Sequence, residues 1–504
     1  MASSFPPLVK VRWSASEESL RYPVHNPATG EVITTIQAGS PETVHQAVLA
    51  AQAAFDNDWR WRTPYERSQY LFRCADSLDA HADELAEILC LENGKPLVDA
   101  RNGDVRFLTG VFRYFASLVD KLPGEVYDQG AVYGTVIYEP FGVCAGILPF
   151  NWPPIHTGGK LAPALAAGNT MILKPAEQAP LTVVRIVEII SEVLPKDVVQ
   201  VVPGLGTEVP QAIIQHELVK MVSFTGSSPA GKKVAGSAAP TLTPVVLELG
   251  GKKAFVVFDD ADFDRAVRDA LDGAFFNKGE ACTAASRMLV QKGIYERFCE
   301  ALGKGVRKLK SGDGMDPTTH VGPLVSKQQQ ERVLGYLKKA EELATIAAQG
   351  KLPSAPKCKN GYFVRPTLIK DVTRDMVIAQ EEMFGPLVTV TPFTDEAEAI
   401  AIVNESPYGL TSAVYSRDSE RCWRCARKMD TGIVFINNYW RTALGSPFGG
   451  VKETGYGREH CIATLREWAQ AKNIRQPSGL GPVPQWRGVT DIFGAEGSEV
   501  VEGR

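Results

Sequence analysis

Hydrophobic positions recur along this chain at two periods, and the switch between them divides it. Ser40 can cap a helix with Pro41 at its first position, and Val44, Val48, Ala51 and Phe55 follow at helical spacing. Leu71, Cys74, Leu78, Leu85 and Leu89 continue that period, so the first part of the chain reads as helical. From about Gly142 the texture becomes short β-branched runs separated by helical stretches. Strands are predicted at 143–148, 170–173, 198–202, 219–224 and Val245–Leu249. The pattern restarts after Gly250-Gly251, at 254–258, 287–290, 387–390, 411–415 and 433–436. Strand–helix alternation of this kind predicts parallel, doubly wound sheets, and its restart predicts two α/β domains. An alternating segment at 132–138 precedes the first sheet and is predicted to pair with 471–474. From Pro477 the chain is rich in Gly and Pro and has no period.

Composition narrows the function. The chain has 504 residues, enough for several domains of roughly 100–200 residues each. A net charge of −4 gives no bulk electrostatic reason to bind nucleic acid or an anionic membrane. No apolar run approaches the ~20 residues of a spanning helix. Neither a secretory leader at Met1–Pro7 nor an organelle address at the end is expected. Nine scattered cysteines argue for free thiols in a reducing compartment, hence the cytoplasm. Cys422-x-x-Cys425 lacks a second ligand pair and reads as structural, so no metal site is expected.

Four segments carry residues suited to chemistry. Phe224-Thr225-Gly226-Ser227-Ser228-Pro229 follows a strand and opens a helix, with Ser228 expected as the N-cap and Pro229 at the first position. That helix end suits a phosphate, although Lys233 stands where a P-loop needs Ser or Thr, which argues against an NTPase. Cys282 follows a polar, Gly-containing turn and precedes a strand, which favours the edge of a cleft over the core. Glu248 lies at an apolar strand end, where a carboxylate is either ion-paired or neutral and available as a base. Asn151 lies at the C-terminal end of a strand, where ligands bind in open α/β sheets; its amide either donates to an oxyanion or holds a turn.

Together these segments resemble the aldehyde dehydrogenase superfamily over residues 23–475. The likeness rests on seven motifs in the family's order: Pro149-Phe150-Asn151-Trp152-Pro153, Leu173-Lys174-Pro175-Ala176-Glu177, Phe224-Thr225-Gly226-Ser227, Glu248-Leu249-Gly250-Gly251, the Cys282 loop, Glu381-Glu382-Met383-Phe384-Gly385-Pro386 and Pro447-Phe448-Gly449-Gly450. The resemblance implies a Rossmann-like cofactor domain at 1–120 and 141–249 and a catalytic domain at 250–455. It further implies a β oligomerisation arm at 121–140 and 456–490, a tail at 491–504, and a homodimer or homotetramer. The implied reaction is NAD-dependent oxidation of a small-molecule aldehyde, with NAD preferred to NADP. Cys282 would form a thiohemiacetal and then a thioester, Asn151 and the Cys282 N–H would hold the oxyanion, and Glu248 would activate water. The cofactor residues implied are Phe150, Lys174, Glu177, Gly226, Ser227, Glu382 and Phe384.

Several positions depart from the family's pattern. Gly159 replaces a bulky aromatic and predicts an open tunnel lined by His156, Trp440, Thr442 and Phe448, with Tyr439 either beside it or in the core. That openness favours an aromatic or longer-chain aldehyde. Glu280 stands where Gln is common and is expected to face away from Cys282. The rival readings are a coenzyme-A-acylating enzyme of the same fold, which would not need Glu248, and a non-catalytic scaffold protein.

Overall fold

The computed structural model describes residues 20–441 and 443–494. Two large sheets dominate it. The first runs Gly455–Tyr456, Val245–Leu249, Val219–Gly226, Val143–Ile147, Thr170–Lys174, Val199–Val201, parallel except for Gly455–Tyr456. Every residue of Val143–Ile147 and Thr170–Lys174 is buried, as expected of parallel strands covered on both faces. Helices Pro153–Ala167 and Leu181–Ser191 pack their apolar residues into one core with Leu173 and Met171, while Val44, Val48 and Ala51 of helix Pro41–Asn57 join the core on Val143 and Ala145. Strand Val143–Ile147 sits between Thr170–Lys174 and Val219–Gly226, so the strand order reverses there. The crevice where ligands bind in open sheets opens at the carboxyl ends of strands on either side of such a reversal. The segments after these strands carry Phe150, Asn151 and Ser227.

The second sheet runs Thr345–Gln349, Thr367–Lys370, Leu387–Phe393, Arg287–Gln291, Ala254–Val257, Thr411–Tyr415, Ile433–Ile436 and is parallel apart from its first strand. A third, antiparallel sheet joins Ala469–Pro477, Val132–Pro140 and Glu125–Asp128, with Ala471 opposite Tyr138 and Ile474 opposite Thr135. The pairing expected between 132–138 and 471–474 is therefore present. Eight consecutive residues of Ala469–Pro477 are exposed, and the strand lies at the edge of its sheet, where its outer N–H and C=O groups form a template for pairing with another chain.

Some elements differ from the sequence reading. Ahead of the helical pattern that begins at Ser40 stands an antiparallel pair, Arg21–His25 and Val32–Gln37. Pro23 weakens the strand signal, yet Tyr22 and Val24 alternate inward. Segment 456–468 was placed with the arm. Instead Tyr456 pairs with Leu247 of the first sheet, and Leu465 and Trp468 are buried in that domain's core. The aperiodic end contains a helix, Arg487–Phe493, with no buried residue. The remainder of the tail and Thr442 lie outside the described residues. Among those described, no helix is long and apolar enough to cross a membrane. Cys422 and Cys425 are buried on a helix packed against the second sheet, consistent with a packing role.

Candidate active site

Cys282 follows a turn that the chain cannot make cheaply. Asn277 and Lys278 both adopt left-handed backbone angles (φ 50° and 55°), uncommon for residues with side chains. Their side chains hold the turn. Asn277 Nδ2 donates to Glu280 O (2.9 Å) and across the cleft to Asn151 O (3.1 Å). Lys278 Nζ donates to Asn93 O (2.5 Å) and Oδ1 (2.6 Å), and lies 3.3 Å from Glu280 Oε2. Asn93 Nδ2 in turn donates to Phe150 O (2.8 Å). The loop bearing the thiol and the loop bearing Asn151 are thus fixed to each other by buried polar side chains. Glu280 faces this network, with its other oxygen accepting from Val325 N (3.2 Å), and not the thiol.

In front of the loop, Cys282, Asn151, Glu248 and His156 line one cavity of about 440 Å³. Phe150, Gly226, Ser227, Glu382, Phe384 and Phe448 line it too. A second cavity of about 740 Å³ shares Cys282, His156 and Phe448 with the first and continues along Phe107, Trp152, Phe276 and Trp440. The thiol therefore stands where two cavities meet.

The electrostatics differ from group to group. Burial pushes the Cys282 thiol up to about 12; the Lys253 ammonium opposes this, and Glu248 adds to it. The Glu248 carboxyl is held well above the usual range, first by burial and then by the like charge of Glu459. Neither oxygen of Glu248 has a hydrogen-bond partner, so the ion pair with a lysine that the sequence left open is absent. Gly449 explains how a carboxylate is accommodated there: its φ is +153°, and a Cβ would lie 2.7 Å from Glu248 Oε1. Beneath Glu248, the Glu459 carboxylate pairs with Lys160 Nζ (2.7 Å), which also donates to Ser223 Oγ (2.8 Å). Glu382 accepts from Lys253 Nζ (2.5 Å) and Gly251 N (3.0 Å); a Cβ on Gly250 would meet its other oxygen at 2.1 Å.

The cofactor-side expectations need one correction. Ser227, not Ser228, caps helix Ser228–Ala238, with Ser227 Oγ accepting from Ala230 N (3.4 Å). Proline is equally well accommodated at the second helical position, so Ser-Ser-Pro permits either register. Lys174 and Glu177 lie apart from the cavity that holds Cys282, at the end of strand Thr170–Lys174 and just beyond it. Glu177 Oε2 accepts from Gly206 N (3.0 Å).

The aldehyde-side expectations divide. His156, Trp440 and Phe448 line the larger cavity. Gly159 lines neither: a Cβ there would sit 3.0 Å from His460 Cε1. The space that an aromatic at 159 would take is occupied by the His460 imidazole, so the open-tunnel argument from Gly159 fails. Tyr439 borders the cavity but is buried, its hydroxyl donating to Thr283 O (2.7 Å). Arg441 also lines the larger cavity; it pairs with Asp272 Oδ2 (2.6 Å) and covers the Phe276 ring. Sequence reasoning did not single out Lys160, Glu459, His460 or Lys253. A signal existed for Lys160: it lies four residues after His156, on the same face of an apolar helix.

A cysteine and a partnerless carboxylate that line one cavity with an amide, beside the point where the strand order reverses, have the chemistry of an enzyme using a thiol nucleophile. Comparison with known proteins agrees. The model of the aldehyde dehydrogenase family matches residues 13–474, and the chain belongs to that family. It is 60% identical over 490 residues to aldehyde dehydrogenase citD of Monascus ruber, covering 97% of each chain. It is 56% identical to an aldehyde dehydrogenase of Didymella fabae, covering 95% of this chain and 97% of that one. Betaine aldehyde dehydrogenase of Staphylococcus aureus, solved in complex with NAD+, is 39% identical, with a TM-score of 0.90 over 94% of each chain. The protein is therefore an oxidoreductase of the aldehyde dehydrogenase type.

Proposed function

We propose that this chain oxidises bulky, aromatic or longer-chain aldehydes to carboxylic acids with NAD. The observation that carries the substrate reading is the cavity of about 740 Å³ walled by Phe107, Trp152, Phe276, Trp440 and Phe448 and opening onto Cys282. Burying an apolar ligand against such walls is worth about 25 cal/mol per Å². This support replaces the argument from Gly159.

NAD suits the smaller cavity. Its lining combines the aromatic rings of Phe150 and Phe384, the carboxylate of Glu382 and the N-terminus of helix Ser228–Ala238, which favours phosphate. Lys174 and Glu177 stand further along the same sheet edge, where an adenosine ribose would lie. When bound, NAD supplies a hydride acceptor. Related proteins were solved with it, including the Staphylococcus aureus enzyme.

The chain's own residues do the rest. Burial favours the protonated Cys282 thiol, so as the sulfur bonds to the aldehyde carbon its proton passes to the unpaired Glu248 carboxylate, which returns it to solvent before the hydrolytic step. Asn151 and the Cys282 N–H are placed to hold the resulting oxyanion; one such donor is typically worth about 3 kcal/mol. After oxidation the carbon is a thioester. Glu248, unpaired and buried, takes a proton from water, which attacks the thioester carbon; the C–S bond breaks, releasing the acid and regenerating the thiol. An acylating, coenzyme-A-dependent reaction gives no use to this base. The exposed strand Ala469–Pro477 supports assembly as a homodimer or homotetramer, and nine free cysteines support a cytoplasmic location. The test is NADH formation with NAD across acetaldehyde, hexanal and benzaldehydes, with and without coenzyme A. Higher kcat/KM for the larger aldehydes without coenzyme A is expected; acetaldehyde as the best substrate would overturn the substrate reading.

A further inference from the structure

The wall between the two cavities holds a polar group for which the reaction has no use. His156 is 5% exposed, and neither of its ring nitrogens has a hydrogen-bond partner. It lines both cavities, as Cys282 does. A buried polar group left unpaired costs roughly 1–3 kcal/mol, and such groups in native proteins have a reason. Beside it, His460 lines the larger cavity with Nδ1 also unpartnered, its ring held edge-on between Phe107 (5.2 Å) and Phe448 (5.4 Å). Phe107, Trp152, Phe276 and Trp440 also wall that cavity, together with Arg106 and the paired Asp272 and Arg441.

We propose that His156, supported by His460, selects aromatic aldehydes that carry a hydroxyl on the ring beside the aldehyde. This rests on the bulky-aldehyde reading above and narrows it. The ring fills the aromatic-walled cavity, the carbonyl meets Cys282, and the hydroxyl reaches the imidazole that shares the thiol's wall. Burial pushes His156 down to about 3, and the Lys160 charge acts the same way. A neutral imidazole offers one donor and one acceptor, which matches a phenol that both gives and takes a hydrogen bond. A site built to bond a substrate hydroxyl discriminates against an analogue that lacks it, because the buried partner is then left unpaired.

The test compares 2-hydroxybenzaldehyde with the similarly sized 2-methylbenzaldehyde. Wild type is expected to favour the hydroxyl compound by about 10-fold or more in kcat/KM. In His156→Phe that ratio should fall to near unity, and His156→Asn, which keeps a donor and an acceptor, should retain part of it. If wild type turns over both benzaldehydes equally well, or if the ratio survives His156→Phe, the His156 assignment is overturned. If acetaldehyde outperforms both, it is the bulky-aldehyde reading that fails, which is a different outcome. Should His156→Phe not fold, calorimetry on wild type with NAD decides. Tighter binding of 2-hydroxybenzoate than of 2-methylbenzoate supports the proposal, and equal affinity overturns it.

Discussion

Two sets of buried polar side chains lie within one cleft, and they are treated in opposite ways. Behind the nucleophile loop, Lys278, Glu280, Asn93, Asn277, Lys95 and Asp104 each have at least one hydrogen-bonded or ionic partner. In front of it, Glu248 and His156 have none. The partnered set fixes backbone: it holds two left-handed residues and ties Asn151 to the Cys282 turn. The unsatisfied set faces cavities, where water, substrate and cofactor arrive. Paired groups position; unpaired groups wait for a ligand. Low local dielectric makes both conditions expensive to disturb, for different reasons.

Each set can be broken separately. The largest effect is expected from Cys282→Ala, which should abolish NADH formation while leaving thermal stability close to wild type, since the thiol makes no bond to the paired network. Next comes Lys278→Met, which strands Glu280 as a buried, uncompensated charge. Breaking a buried pair in this way typically costs about 3–5 kcal/mol, readable as a lowered urea midpoint. A midpoint equal to wild type would mean that the network is ornamental.

The front set should show itself in pH. Burial and Glu459 raise Glu248, so its basic form accumulates only as pH climbs past the ordinary carboxylate range. The rate of thioester hydrolysis should accordingly go on increasing with pH above the range in which an ordinary carboxylate titrates. Glu459→Gln removes the like charge and should move that acid limb to lower pH; a limb that stays in place would separate Glu459 from Glu248. The smallest effect concerns cofactor choice. Glu177 would repel a 2′-phosphate, so Glu177→Gln should lower the NAD-to-NADP ratio of kcat/KM without reversing the behaviour of the catalytic groups. An unchanged ratio would remove Glu177 as the cause of any preference.

The same contrast explains what the sequence disclosed. Strands such as Val143–Ile147 and Ala254–Val257 are continuous apolar runs, and burial on both faces makes such runs readable. The edge strand Thr345–Gln349 and its neighbour Thr367–Lys370 are short and carry Thr, Gln and Lys, which hides them in the sequence. Cys282, Glu248 and Asn151 were legible because each breaks its local pattern: a thiol after a polar turn, a carboxylate in an apolar strand, an amide at a strand end. The wall at Gly159 was misread because the residue that fills the space, His460, lies about three hundred residues away in sequence and only folding brings it near. The register of Ser227 and Ser228 was ambiguous for a local reason, two adjacent capping residues before one proline.

The central claim is that Glu248 is left unpaired in order to meet water at the thioester. Rapid mixing of Glu248→Gln with NAD and a benzaldehyde tests it most directly. The account requires a burst of at most one NADH per site, followed by steady turnover lowered ~10²–10⁴-fold, the usual worth of a general base. Steady turnover at the wild-type rate, with no burst, would contradict it.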